Sequence, residues 1–279
     1  MDLAVVLAFV VTIAGEILVP LALGAWCTKR FGISWRIFGL GALFFVIVQI
    51  VHTPLVLATQ APIYRYLQAT FADPALALAA FAIVLGLLAG FFEEVGRYLV
   101  FAYYFRRRRI ELSKENGLLF GIGWGGIESI VIGVLVALTL VSYMTAAPLT
   151  DQQIQAINQS TGGTLTEEQI EELRAQMDAL INLTPYDVLP GLAERMMTIT
   201  LHVAFTLMVL SAVVYHRQIL LALAIIWHTA VDALAVYLAQ TAGILVTELA
   251  ILAMALLGAG YIWWTWQTWG RPTPSGDLG

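Results

Sequence analysis

The stretch Ala75–Phe92 runs for 18 residues without one charged or strongly polar side chain. A helix that is apolar all round for that length cannot lie on a soluble domain, which demands a polar face; it belongs in a bilayer. The rest of the chain is of the same kind. Of its 279 residues, 60% are hydrophobic and 12% charged, against a charged share of about 25% in soluble domains. Mean hydropathy is +0.84. This excludes a soluble globular enzyme and a disordered protein. A formal charge of −5 argues against a nucleic-acid partner. Polar and apolar residues do not alternate as they do in a membrane β-barrel. The expectation is an all-α, polytopic transmembrane bundle, set in the plasma membrane of a prokaryote. Cys27 is the one cysteine, so no internal disulfide can form. The Met-Asp start lacks a basic region and reads as a first span rather than a cleaved signal.

At about 20 residues per span, seven segments qualify: 3–27, 35–58, 75–105, 115–145, 188–214, 218–240 and 243–267. Pro148 and Pro190 read as boundaries, and Pro20 and Pro54 as kinks within spans. Lysine and arginine set the orientation. With the N-terminus outside, Lys29, Arg30, Arg36, Arg106–Arg109, Lys114, Arg217 and Arg271 all fall on the cytoplasmic side, and only Arg65 and Arg174 outside. The expected organisation is four spans over 1–145, an acidic extracytoplasmic loop over 146–187, three spans over 188–267 and a disordered tail over 268–279. The loop holds seven acids and one base. In it, Thr166-Glu-Glu-Gln169 forms a capping box ahead of Ile170, Leu173, Met177 and Leu180, which predicts an amphipathic helix. That helix reads either as a cap on the helix ends or as a substrate lid.

A charge at bilayer depth is costly, so each one is a functional-site hypothesis. The deep set is Glu16, Glu93, Glu94, Arg97, Glu128, His202, His228 and Asp232, with His52 beside it. At about 1.5 Å per residue, Glu94 lies roughly 18 Å from Arg106, Glu128 roughly 21 Å from Lys114, His202 roughly 21 Å from His216 and His228 roughly 17 Å from Arg217. Four helices therefore place a polar group in one thin layer. In the third span, Glu93 and Glu94 precede Arg97 by four and three residues, so one guanidinium reaches both carboxylates. Two acids exceed what one base neutralises, which points to general acid–base work. In the sixth span, His228 and Asp232 share a face at i,i+4. Asp232 can orient the imidazole or share a metal with it. With His202 and Glu128, the set offers nitrogen and oxygen donors without sulfur, which suits a catalytic zinc. Four glycines in Gly121–Gly126 allow close helix packing, or space for water or a peptide beside Glu128.

Several hydrolytic designs are missing. There is no His-Glu-x-x-His motif, Asp232 is the only deep aspartate, and Ser129 lacks a Gly-x-Ser-x-Gly elbow. What remains is carboxylate, imidazole and a metal, a combination that activates water. Water attack on an amide in the membrane is the natural reaction class.

Glu93-Glu94-x-x-Arg97, the single His202 and the final His228-x-x-x-Asp232 resemble, in this order, the motifs of the CAAX-protease and bacteriocin-processing superfamily and the PrsW-like proteins. The Gly-rich stretch ending at Glu128, Glu194-Arg195 and the His228–Asp232 pair are most similar to the YhfC-type branch of intramembrane metalloproteases. CAAX-type enzymes carry one more residue before the arginine, and Asn where this chain has Asp232. The resemblance implies an intramembrane protease acting on a membrane-anchored peptide or protein. It implies Glu93 as the general base or acid activating water, with Glu94 paired to Arg97 or joining the metal. His202, His228, Glu128 and Asp232 would bind zinc, or in part assist the base and stabilise the oxyanion. A proton- or ion-coupled transporter would use the same layer of carboxylates and histidines, and an inactive scaffold would retain it.

Overall fold

The computed structural model describes residues 2–270, and nine helices account for nearly all of them. Seven are long and apolar enough to cross a membrane: α1 (Leu3–Phe31), α2 (Arg36–Thr70), α3 (Pro74–Arg108), α4 (Lys114–Thr145), α7 (Pro185–Val214), α8 (Gln218–Thr241) and α9 (Ile244–Thr268). The two short ones, α5 (Asp151–Ser160) and α6 (Glu167–Ile181), occupy the acidic loop. No strand occurs among the described residues. Of the tail expected from residue 268, residues 271–279 lie outside them, as does Arg271.

Several boundaries differ from the sequence expectation, two of them at prolines. Helix α2 runs to Thr70 rather than 58, carrying Pro54 and Pro62 inside it. Each proline removes one ladder hydrogen bond, and the helix continues through both. Helix α7 begins at Pro185, and Pro190 lies within it instead of marking its start.

The chain divides into two compact units, with α1, α4 and α7 each contributing a stretch to both. The first unit is the chain up to Ile17 with Ile130–Ala193. Its core is Val5, Ala8, Phe9, Tyr143 and Val188, with Leu180 and Leu183 packed against it. Thr166 caps α6 through the expected box with Gln169. The same device, Thr150 with Gln153, starts α5, a second helix in the loop. Arg174 of α6 pairs with Asp151 of α5 at 2.8 Å.

The second unit is Leu18–Ser129 with the chain from Glu194. An aromatic core of Phe38, Phe45, Phe101, Phe105, Phe120 and Trp124 joins α2, α3 and α4. Residues 201–213 of α7 are all buried, which explains why this span is apolar on every face apart from the few polar groups it presents to the site. Helix α3 packs along α8 because Gly86 and Gly90 leave no side chain between them. A Cβ at Gly86 would lie 2.5 Å from the carbonyl oxygen of Thr229. That approach carries Glu93, Glu94 and Arg97 to the level of His228.

Candidate active site

Arg97 organises the site. It is fully buried, and its guanidinium donates to Glu94 Oε1 and, at 3.2 Å, to Glu93 Oε2. The i+3 and i+4 geometry of α3 thus places both carboxylates on one cation, as the spacing required. The guanidinium also lies over the Trp124 ring at 4.3 Å, an arrangement that stabilises a desolvated cation. Glu93 is held further by Trp124 Nε1 at 2.9 Å and by Gln49 Nε2 at 3.1 Å. Its two oxygens therefore take three donors, and the carboxylate is locked in place.

The two imidazoles are fixed in opposite senses. Arg97 Nη2 lies 2.7 Å from His202 Nδ1. Arginine has donors only, so Nδ1 accepts there. The ring proton sits on Nε2 and is donated to Glu128 Oε2 at 2.6 Å. His228 Nδ1 lies 2.6 Å from Glu94 Oε1, an oxygen already accepting from Arg97. The carboxylate is an acceptor there, so His228 donates from Nδ1, which leaves Nε2 as its outward nitrogen. That nitrogen faces Asp232 Oδ2 at 3.5 Å. The two rings lie 5.9 Å apart between centroids, and Phe205 stacks on His228.

Seven of the eight residues in the deep set, all but Glu16, therefore meet in one place, linked by hydrogen bonds and close approaches. The linkage continues outward: Glu128 Oε1 accepts from Arg195 Nη1 at 2.8 Å, and Arg195 also bonds Glu194. The Glu194–Arg195 pair thus joins the site through Glu128. Gly125 makes room for this layer, since a Cβ there would sit 2.8 Å from His202 Cδ2. Asp232 is the site's opening, with its side chain 35% exposed. It lines a cavity of about 310 Å³ together with His52, Val56, Gly86, Ala89 and Val236. His52 bonds the side chain of Gln49 at 3.1 Å. Glu16 belongs to the first unit.

Sequence reasoning missed Gln49 and Trp124, which hold Glu93. The neutral pair gave no charge signal.

The four residues expected to hold zinc form two pairs rather than one converging set: His202 with Glu128, and His228 with Asp232. A zinc site needs three or four donors near 2 Å from one point. No group of three or more His, Cys, Asp or Glu could hold a metal ion among the described residues. The lone pair of His202 also faces a guanidinium. In this arrangement the four do not fit the ion.

Residues 15–256 match the model of the YhfC intramembrane metalloprotease family. A curated relative, the uncharacterized membrane protein YhfC of Bacillus subtilis (strain 168), is 28% identical over 252 residues, covering 88% of this chain and 90% of the relative. No solved structure matches at a significant level.

Proposed function

The chain belongs to the YhfC intramembrane metalloprotease family and is an integral membrane protein; from that premise we propose that it cuts a peptide bond of a membrane-anchored peptide or protein, in a prokaryotic plasma membrane. The observation that carries the reading is the position of His228 Nε2, 3.5 Å from Asp232 beside the cavity, with Nδ1 held on Glu94. A water held by these two groups gives its proton to Nε2 as its oxygen bonds the carbonyl carbon. The imidazolium so formed lies between Glu94 and Asp232, and Glu94 plays the orienting and charge-balancing part of a triad acid. The proton then passes to the departing amine nitrogen as the carbon–nitrogen bond breaks. Glu93, expected from sequence as the general base, has a positioning part in this reading. It fixes Arg97, and Arg97 fixes Glu94 and His202.

The family's description implies a metal, and zinc is the ion such donors would take. It would require His202 to turn from both Arg97 and Glu128, and no step here passes through it. The orientation with the N-terminus outside belongs to the same proposal and rests on the lysine and arginine asymmetry.

The test uses purified protein in proteoliposomes with a panel of tagged single-pass segments, read by mass spectrometry. Cleavage by the native protein and its loss in His228→Gln support the reading. Equal cleavage by both overturns the role of His228. A second reading, a proton-coupled transporter, is favoured by the chain of acids and bases running from Glu194 to Asp232. Substrate flux without cleavage in the same vesicles would establish it.

A further inference from the structure

On the seam between α2 and α3, away from the catalytic layer, two cavities share Tyr104. The larger, about 830 Å³, carries Arg36 and Arg108 with Ser34 and Asn116, and its apolar wall includes Leu40 and Leu43. The smaller, about 440 Å³, continues past Phe44, Ile47 and Tyr103 to Val48 and Gly96, with Arg107 also on its lining. Along α2, the twelve residues from Arg36 to Val48 span about 18 Å, comparable to one leaflet of a hydrocarbon core about 30 Å thick.

The charges of this seam are unspent. The guanidiniums of Arg36 and Arg107 have no hydrogen-bond or ion-pair partner among the described residues, and Arg108 lies only over the Tyr104 ring at 5.7 Å. No carboxylate lines either cavity. Three cations at one end of an apolar channel call for an occupant with an anionic head and a hydrocarbon tail. Guanidinium groups bind phosphate oxygens with paired N–H donors. Leu43, Ile47, Leu99 and Tyr103 are substantially exposed, so the channel opens sideways to the bilayer, from which such a molecule enters.

We infer that the α2–α3 seam is a binding site for an anionic phospholipid, its phosphate on Arg36 and Arg108 and one acyl chain lying along Leu43, Ile47 and Val48. The chain's far end reaches Gly96 and Val48, the immediate neighbours of Arg97 and Gln49 in sequence. The bound lipid therefore bears on the backbone that carries the catalytic cation and the Glu93 donor.

The experiment is native mass spectrometry of the detergent-solubilised full chain with phosphatidylglycerol or phosphatidylcholine of identical acyl chains. The native protein retains phosphatidylglycerol at least tenfold better. R36Q/R108Q abolishes that preference, while Leu43→Trp, which fills the channel and leaves the arginines, lowers retention of phosphatidylglycerol. Millimolar glycerol phosphate, a headgroup without chains, does not displace the lipid. Equal retention of both lipids by the native protein overturns the inference, as does unchanged binding in folded R36Q/R108Q. Displacement by glycerol phosphate would mean a free-anion site and also overturns it. So would a second copy of the chain cross-linked across the seam. If the double variant does not fold, the headgroup comparison and the glycerol phosphate competition on the native protein still decide.

Discussion

Glu94→Gln separates chemistry from folding. In the native protein Glu94 Oε1 lies 2.6 Å from His228 Nδ1. Two unit charges at that distance attract by about 6 kcal/mol at an effective dielectric of about 20. In the proposed mechanism this interaction forms only once His228 has taken the proton of the attacking water, so it lowers the barrier and not the ground state. The glutamine oxygen still accepts a neutral hydrogen bond, which recovers about 1 kcal/mol. The net loss of about 5 kcal/mol corresponds to a rate lower by roughly 10³–10⁴. The fold should tolerate the change. Glu93, Glu94 and Arg97 carry two negative charges against one positive, and Glu94→Gln leaves one of each, so stability should move by less than about 2 kcal/mol. The assay is single-turnover cleavage in proteoliposomes, with thermal unfolding of the same preparation. A rate within about threefold of the native one would refute the reasoning, because it would mean that no cation forms beside residue 94.

Other perturbations test other parts of the structure. Arg97→Met strands two buried carboxylates and should cost about 3–5 kcal/mol, read as a large fall in unfolding temperature. Gly125→Ala places a methyl group 2.8 Å from His202 Cδ2. The resulting shift of the imidazole, on the order of 1 Å, should cut the rate by about 10²-fold while the helix content is kept. Thr166→Ala removes the N-cap of α6 and should destabilise that helix by about 1 kcal/mol. Amide exchange in Glu167–Ile181 should rise and cleavage should be unchanged. If zinc is a resident ion, metal analysis should find one per chain in the native protein and none in His202→Ala or His228→Ala. The arrangement of two separate pairs predicts substoichiometric metal.

The spans were legible because apolar length is a one-dimensional property, and seven were expected where seven occur among the described residues. The extension of α2 to Thr70 was not, since Gln60, Arg65 and Gln68 follow the apolar run and read as the segment between spans. Glu93, Glu94, Arg97, Glu128, His202, His228 and Asp232 could be picked out because an ionisable group at bilayer depth has few reasons to be there. Their pairing was not legible. Which carboxylate meets which imidazole depends on the rotation of α3, α4, α7 and α8 about their axes, fixed here by contacts at Gly86, Gly90 and Gly125. Gln49 and Trp124 escaped for a different reason: a neutral side chain in an apolar helix looks like packing until its partner is seen. The Thr150–Gln153 box of α5 was readable by the same rule that found Thr166–Gln169.

The most direct test of the central claim is the fate of water oxygen. Cleavage of a membrane-anchored segment in water enriched with oxygen-18, followed by mass spectrometry of the fragments, reports whether water is the nucleophile. The account predicts one heavy oxygen on the new carboxyl terminus with the native protein, and no fragment with His228→Gln. Fragments formed equally by His228→Gln, or flux of intact substrate without any heavy oxygen, would contradict it.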